Sequence, residues 1–418
     1  MKISDIRPEV YDMAAKAQER LAGRFAEIDR VAEINTRRVM EAFQNNRVAE
    51  ACFAGTTGYG YDDLGRETLD KIYAEIFGTE SALVRIGFVN GTHALTAAMF
   101  ALVKPGDTIV AVTGMPYDTL RSAIGISGDC HGSLKFYGIN YAQVDLTADG
   151  GPDYAAIAEA ASKPNVTAVM IQRSRGYDNR KALSVDEIGR ICETVKAVNP
   201  EINIMVDNCY GEFTDIKEPT HVGADIIAGS LIKNPGGGLA PTGGYVAGKK
   251  ELVERAAMRL TTPGIGGECG STLGNNRLLF QGLFMAPHIV AQALKTACFC
   301  AAMMEALGIP TSPAPEDPRS DIIQMVKLGS VENMKRFCLG IQAGAPVDSY
   351  VTPEPWEIPG YDCPVIMAAG AFVQGSSIEL SADGPAREPY TVYMQGGLTY
   401  ESGKLGIMMA VSAMLDRQ

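Results

Sequence analysis

Residues Ala224–Gly248 read ADIIAGSLIKNPGGGLAPTGGYVAG, and this stretch decides the fold. Asp225–Ser230 is a short apolar run, rich in β-branched side chains and bounded by glycine, as in a strand of a sheet core. Gly244–Ala247 reads as another strand. Between them Lys233 follows within a turn of the first strand, and Asn234-Pro235 and three glycines come next. A lysine just past a buried strand end, among residues with almost no side chain, has its amine presented into a pocket. Desolvation there lowers its pKa and frees the neutral amine for Schiff-base chemistry. A glycine-rich β-turn whose lysine points to water fits the same residues, and the stretch alone does not separate the two.

Outward from it, strands alternate with helices. Strand patterns lie at Ala82–Val89, Thr108–Val112, Leu134–Ile139, Val166–Ile171 and Ile202–Val206. Helical windows lie at Glu67–Phe77, Ala94–Val103, Tyr154–Ser162 and Val185–Val198. The alternation predicts an α/β fold with a mainly parallel sheet covered on both faces and a site outside the carboxyl ends of its strands. Arg7–Asn46 carries apolar residues at helical spacing, with Leu21, Phe25, Ile28, Val31 and Ile34 as one face, and predicts an arm docked on its own domain or a neighbouring subunit. Arg277–Leu307 predicts a long linking helix, broken or kinked at Pro287. After a surface loop at Pro310–Pro318, strand patterns at Ile322–Leu328, Val365–Val373, Ser377–Leu380 and Tyr390–Met394 predict a smaller C-terminal α+β domain. The boundaries read as residues 1–50 for the arm, 51–290 for the large domain and 291–418 for the small one.

At 418 residues the chain exceeds what one core serves, and 46% hydrophobic with 21% charged residues exclude wholesale disorder. A formal net charge of -12 argues against nucleic acid, whose phosphates need a basic face. No apolar run reads as a membrane span and the N-terminus shows no secretory signal, so no membrane association is expected. Nine cysteines without a regular framework point to a reduced, cytoplasmic compartment.

Three motif matches fail. Gly243–Lys250 has the glycines and lysine of a Walker A loop, but Lys250 replaces the Mg²⁺-binding hydroxyl residue. Gly264–Gly270 has Cys269 at the third glycine of a dinucleotide fingerprint and no strand before it. Cys130-His131, with Cys298 and Cys300, lacks zinc spacing, so no metal is expected.

Four features fall in the order that pyridoxal 5′-phosphate chemistry requires. Asn90-Gly91-Thr92-His93 stands between a strand and a helix, where free backbone N–H groups suit a phosphate, although it also makes an ordinary turn and N-cap. Tyr117 follows a strand and can stack on an aromatic ring, or sit in a proline turn. Asp207 ends an apolar strand, where its carboxylate needs a cation such as a protonated pyridine nitrogen, or caps the next turn. Lys233 follows the next strand.

Val206-Asp207-Asn208-Cys209-Tyr210, Gly223-Ala224-Asp225-Ile226-Ile227 and Gly229-Ser230-Leu231-Ile232-Lys233 resemble the fold-type I pyridoxal-phosphate enzymes of cysteine and methionine metabolism. Asn234–Gly238 and Gln395–Glu401 resemble its methionine gamma-lyase-like, aluminium-resistance branch. The resemblance implies a seven-stranded, mainly parallel sheet and sites completed across a homodimer or homotetramer. It implies Lys233 as the lysine that carries the cofactor and Asp207 as the partner of the pyridine nitrogen. Ser230, Gly91, Thr92 and His93 fall on the phosphate-binding positions, Tyr117 on the stacking tyrosine, and Tyr59 or Tyr61 on the tyrosine sent to a neighbour's phosphate.

The sequence departs from this pattern at Ile232, which replaces a phosphate-binding hydroxyl, and at Tyr59-Gly60-Tyr61, which lacks an arginine that Arg66 is placed to restore. Arg173 and Arg175 stand where the family has other residues; altered substrate or cofactor handling and a surface salt-bridge pair are both open. Arg387 is the leading candidate for the substrate carboxylate, with Arg175 the other. The activity implied is a carbon–sulfur lyase acting on an amino acid of the cystathionine, methionine or cysteine type, with Lys233 and Tyr117 as proton carriers. Transamination, racemisation or decarboxylation on the same cofactor, or a cofactor-binding regulatory protein, are the alternatives.

Overall fold

The computed structural model describes residues 1–128, 131–357 and 363–415 of the chain; Cys130 lies outside them. Its first sheet holds strands β1 (Ser81–Arg85), β2 (Thr108–Ala111), β3 (Asn140–Gln143), β4 (Val166–Gln172), β5 (Asn203–Asp207), β6 (Ile226–Ser230) and β7 (Gly244–Gly248). Their order is β1-β7-β6-β5-β4-β2-β3. Only β7 runs against its neighbours, β1 and β6. No helix crosses back between β6 and β7, and a parallel return needs such a crossover. The central strands are buried on both faces, as their unbroken apolar runs require.

Helix Gly91–Leu102 lies against β6, β7 and helix Lys250–Leu260. Its small residues permit the approach, and a Cβ at Gly244 of β7 would meet Ala94 Cβ at 2.8 Å. Helix Val185–Val198 has the bounds its pattern predicts, because Ser184 and Glu187 form a capping box. Leu134–Ile139 is not a strand. Lys135–Tyr137 is a single helical turn closed by Gly138 at φ +76, with Phe136 and Tyr137 exposed, and the strand starts at Asn140.

The arm forms two helices, Pro8–Arg20 and Ala22–Asn45, docked on their own chain. Their buried face is Val10, Leu21, Ile28, Asn35 and Val39; Ile34, expected on that face, is exposed. Asn35 turns inward because its Nδ2 donates to the carbonyls of Phe213 (3.1 Å) and Asp215 (3.0 Å).

Helix Asn276–Ala306 runs through Pro287 without a break and spans residue 290. It is long and apolar enough to cross a membrane, contrary to the sequence expectation, yet 78% of its most apolar window is buried inside the protein. It packs on the arm and on the final helix, Tyr400–Leu415. The glycines after Lys233 serve this packing. A Cβ at Gly237 would run into the Gly282 carbonyl of that helix, and one at Gly236 into the carbonyl of Leu231.

The second sheet is antiparallel and five-stranded: β8 (Thr311–Ser312), β9 (Ile323–Lys327), β10 (Val365–Ala369), β11 (Ser381–Pro385) and β12 (Thr391–Gln395), in the order β10-β11-β12-β9-β8. The strand expected at Ser377–Leu380 begins at Ser381 instead. Ser-Ala-Asp-Gly-Pro has poor strand propensity, and pairing on both sides imposes the conformation. Helices Val331–Ala343 and Tyr400–Leu415 pack against each other beside this sheet.

Candidate active site

A cavity of about 320 Å³ lies between the carboxyl ends of β4, β5 and β6 and one face of the second sheet. Gly91, Thr92, Tyr117, Asp207, Ser230 and Lys233 all line it. The second sheet contributes Met367 and Ala369 from β10, Ser381 and Asp383 from β11, and Tyr393 and Gln395 from β12. Each pair is spaced by two residues, so all six share one face. In register, Met367, Asp383 and Tyr393 form one row and Ala369, Ser381 and Gln395 the next.

At one end, Asn90 caps helix Gly91–Leu102 by accepting the His93 amide at 2.9 Å. The Gly91 and Thr92 amides make no hydrogen bond among the described residues and stand at the positive end of a helix dipole. A Cβ at Gly91 would lie 3.0 Å from Ser230 Cβ and 3.6 Å from Cys209 Sγ. Thr119, which the sequence reading missed, brings its hydroxyl to 2.9 Å from that of Thr92. Thr119 thus supplies a hydroxyl in the cavity that Ile232 lacks. Free amides, a dipole end and the hydroxyls of Thr92, Thr119 and Ser230 are the donors a phosphate needs.

Asp207 is the last residue of β5 and is 6% exposed. Its Oδ1 accepts the Cys209 amide at 3.1 Å. Burial raises its pKa, offset in part by Lys233 and that amide. The Lys233 ammonium sits 4.0 Å from the ring centroid of Tyr210, whose hydroxyl is 3.0 Å from Ser377 Oγ. Tyr210, at φ +70, was quoted in the sequence pattern but given no role. Burial alone lowers the lysine pKa, but Cys209, Tyr210, Asp207 and Glu212 outweigh it and the net shift is upward. This corrects the expectation of a lysine freed by desolvation: in the bare protein, Lys233 is the counter-charge of its acidic neighbours. Among the described residues, the cavity holds two carboxylates, one lysine and no arginine.

Gln172 positions Tyr117 by accepting its amide at 2.8 Å. Arg173 and Arg175 are both 0% exposed, which removes the surface salt-bridge reading. Arg173 donates to Asn208 Oδ1 (2.8 Å), Glu218 Oε2 (3.3 Å) and Thr214 Oγ1 (3.1 Å), bracing the turn after Asp207. A fully buried pair such as Arg173–Glu218 costs ~3–5 kcal/mol to break on one side.

Other expected residues stand apart. His93 does not line the cavity; its Nδ1 accepts the Val89 amide at 3.3 Å and its ring meets Phe88 edge-on. Arg387 and Arg175 line a neighbouring recess that shares Tyr117, Gln172, Gly176 and Tyr177 with the cavity. Arg175 keeps Nε and Nη1 without hydrogen bonds there. Tyr59 and Tyr61 stack on each other, 72% and 56% exposed, away from the cavity of their own chain. Arg66 does not restore a charge to that cavity: it is buried and bonded to the carbonyls of Gly60, Gly270 and Glu268.

The chain resembles known proteins in sequence and in fold. The family model described as methionine gamma-lyase matches residues 10–415. The chain belongs to this family. A solved structure described as a carbon-sulfur lyase involved in aluminum resistance, from Clostridium novyi NT, is 51% identical with a TM-score of 0.95, covering 98% of this chain and 97% of that one. The uncharacterized protein YnbB of Bacillus subtilis (strain 168) is 48% identical over 406 residues, 97% of this chain and 96% of its own length. An L-methionine gamma-lyase of Treponema denticola is 26% identical over 217 residues, 52% of this chain and 49% of its own length. The pyridoxal-5′-phosphate dependent protein YhfS of Escherichia coli shares the fold, with 17% identity, a TM-score of 0.62 and coverage of 91% of this chain and 95% of its own. The chain is thus a fold-type I member of the methionine gamma-lyase family, in its aluminium-resistance branch.

Proposed function

We propose that the protein is a pyridoxal-phosphate-dependent carbon–sulfur lyase acting on a sulfur-containing amino acid. The observation that carries this is the convergence of Lys233, Asp207, Tyr117 and the free amides of Gly91 and Thr92 on one cavity. The residues fit the cofactor: the amides with Thr92, Thr119 and Ser230 take its phosphate, Tyr117 its ring face, Asp207 its ring nitrogen, and Lys233 Nζ its aldehyde carbon. Bound there, the cofactor supplies an electron sink joined to the substrate's amino nitrogen.

Within that frame the chain's residues have separate tasks. Asp207 would keep a proton on the ring nitrogen, because burial makes its carboxylate favour a further cationic partner beyond Lys233 and Arg180. Lys233 Nζ would take the proton from the substrate Cα. The Tyr117 hydroxyl returns a proton to the departing sulfur. The second sheet walls one side of the cavity. Incubation of the loaded protein with L-cystathionine, L-methionine and L-cysteine is expected to release a keto acid and ammonia in equal amounts, with a sulfur-bearing product. Keto acid without ammonia or sulfur release from any of them would mean a transaminase.

We further propose that two copies complete each site. Support comes from the stacked Tyr59–Tyr61 pair, exposed on a loop that the Arg66 bonds hold rigid; exposed aromatic rings on a fixed loop are characteristic of interfaces. Sedimentation is expected to give a dimer or tetramer, and either Tyr59→Phe or Tyr61→Phe to weaken cofactor binding by roughly tenfold. A monomer that binds cofactor normally would contradict it.

A further inference from the structure

Asp383 is a second carboxylate in the cavity, and nothing in the lyase chemistry above uses it. It lies on β11, facing the same space as Lys233 and Asp207, and is 6% exposed. Its Oδ1 has no hydrogen-bond partner, and its Oδ2 accepts a 3.3 Å bond from Gln395 Nε2. No cation pairs with it among the described residues. Burial pushes its carboxyl up to about 6, offset in part by a hydrogen bond with Tyr177. A buried carboxylate with an empty lone pair and no counter-ion is costly unless a ligand supplies the missing charge.

The rest of the wall narrows what that ligand brings. The neighbours of Asp383 in its row are Met367 and Tyr393, both without charge. The cavity's one cation among the described residues, Lys233, sits beside Asp207 and Tyr210. A substrate whose reacting amine is at Lys233 therefore meets a carboxylate, not a cation, on the face of the second sheet.

We propose that Asp383 is a specificity-determining residue that pairs with a distal ammonium, so that the site takes sulfur amino acids carrying a second amino group in preference to those with a neutral arm such as methionine. This rests on the lyase reading for the identity of the reacting end, but the recognition itself is separable from turnover. Both oxygens of Asp383 would then be paired, and the ammonium would replace the missing counter-charge.

The test uses L-lysine and L-2-aminoheptanoate, which have carbon in place of sulfur and differ only in a terminal ammonium against a methyl group. Calorimetric titration of the cofactor-loaded protein is expected to show L-lysine binding at least roughly tenfold more tightly. Asp383→Asn is expected to abolish that preference and to leave the affinity for L-2-aminoheptanoate within about twofold. Equal affinities in the wild type, no binding of either, or an equal loss of both in Asp383→Asn would overturn the proposal. Sulfur release from S-(2-aminoethyl)-L-cysteine is measured alongside. A binding preference without any such release would refute the lyase reading and leave the role of Asp383 standing.

Discussion

Lys233→Ala protein is expected to release sulfur product at roughly 10⁻³ to 10⁻⁴ of the wild-type rate, because the variant loses the base that takes the Cα proton. It also loses the amine that anchors the cofactor, so bound cofactor becomes removable by gel filtration. The electrostatic consequence is separate. Asp207 and Glu212 lose their only nearby ammonium, and the carboxyl of Glu212, already pushed up to about 8 by burial, has less reason to ionise. Lys233→Arg separates the two effects, since it keeps the positive charge and removes a usable amine. It should fold like the wild type and be as inactive as Lys233→Ala. Activity in Lys233→Arg within about tenfold of wild type would show that the lysine acts only as a charge.

Asp207→Asn is expected to lower kcat by roughly 10²- to 10³-fold while leaving the Lys233 linkage in place. The geometry supplies the reason. Asp207 is buried at a strand end, where Lys233, the Cys209 amide and Arg180 together offset the cost of its charge. With the cofactor bound, Asp207 would hold a proton on the ring nitrogen, and that charge would pair with its carboxylate. Asparagine accepts a hydrogen bond but carries no charge, so it lets the ring nitrogen lose its proton at neutral pH. Asp207→Glu should recover part of the rate. A fall of less than about fivefold in Asp207→Asn would place Asp207 in the turn alone, as a cap for Cys209.

The central sheet was legible because its apolar runs are short, bounded by glycine or proline, and separated by helical periods. Lys233, Asp207, Tyr117, Gly91 and Thr92 were legible because each stands at a strand end or helix start, which fixes its position along the chain. What was hidden depends on packing across the chain. Ser381–Pro385 is a strand only because β10 and β12 hold it on both sides, so Asp383 was not recognised as facing the cavity. Thr119 reaches the start of helix Gly91–Leu102 through a contact with Thr92 across the intervening helix, strand and loop. His93 fell on the right turn, but three residues into it the side chain has rotated toward Phe88. Arg387 and Arg175 line the adjoining recess rather than the cavity, a distinction that residue order does not encode. The direction of the Lys233 shift was hidden for the same reason: desolvation is readable from a buried strand end, whereas the acidic neighbours that outweigh it come from another strand.

Lys233 is expected to be the covalent anchor of the cofactor. Saturating the purified protein with pyridoxal phosphate, reducing with borohydride and mapping the labelled peptide by mass spectrometry addresses this directly. The predicted result is one stoichiometric label on Lys233, absent from Lys233→Arg protein. A label on another lysine, or none after saturation, would contradict it.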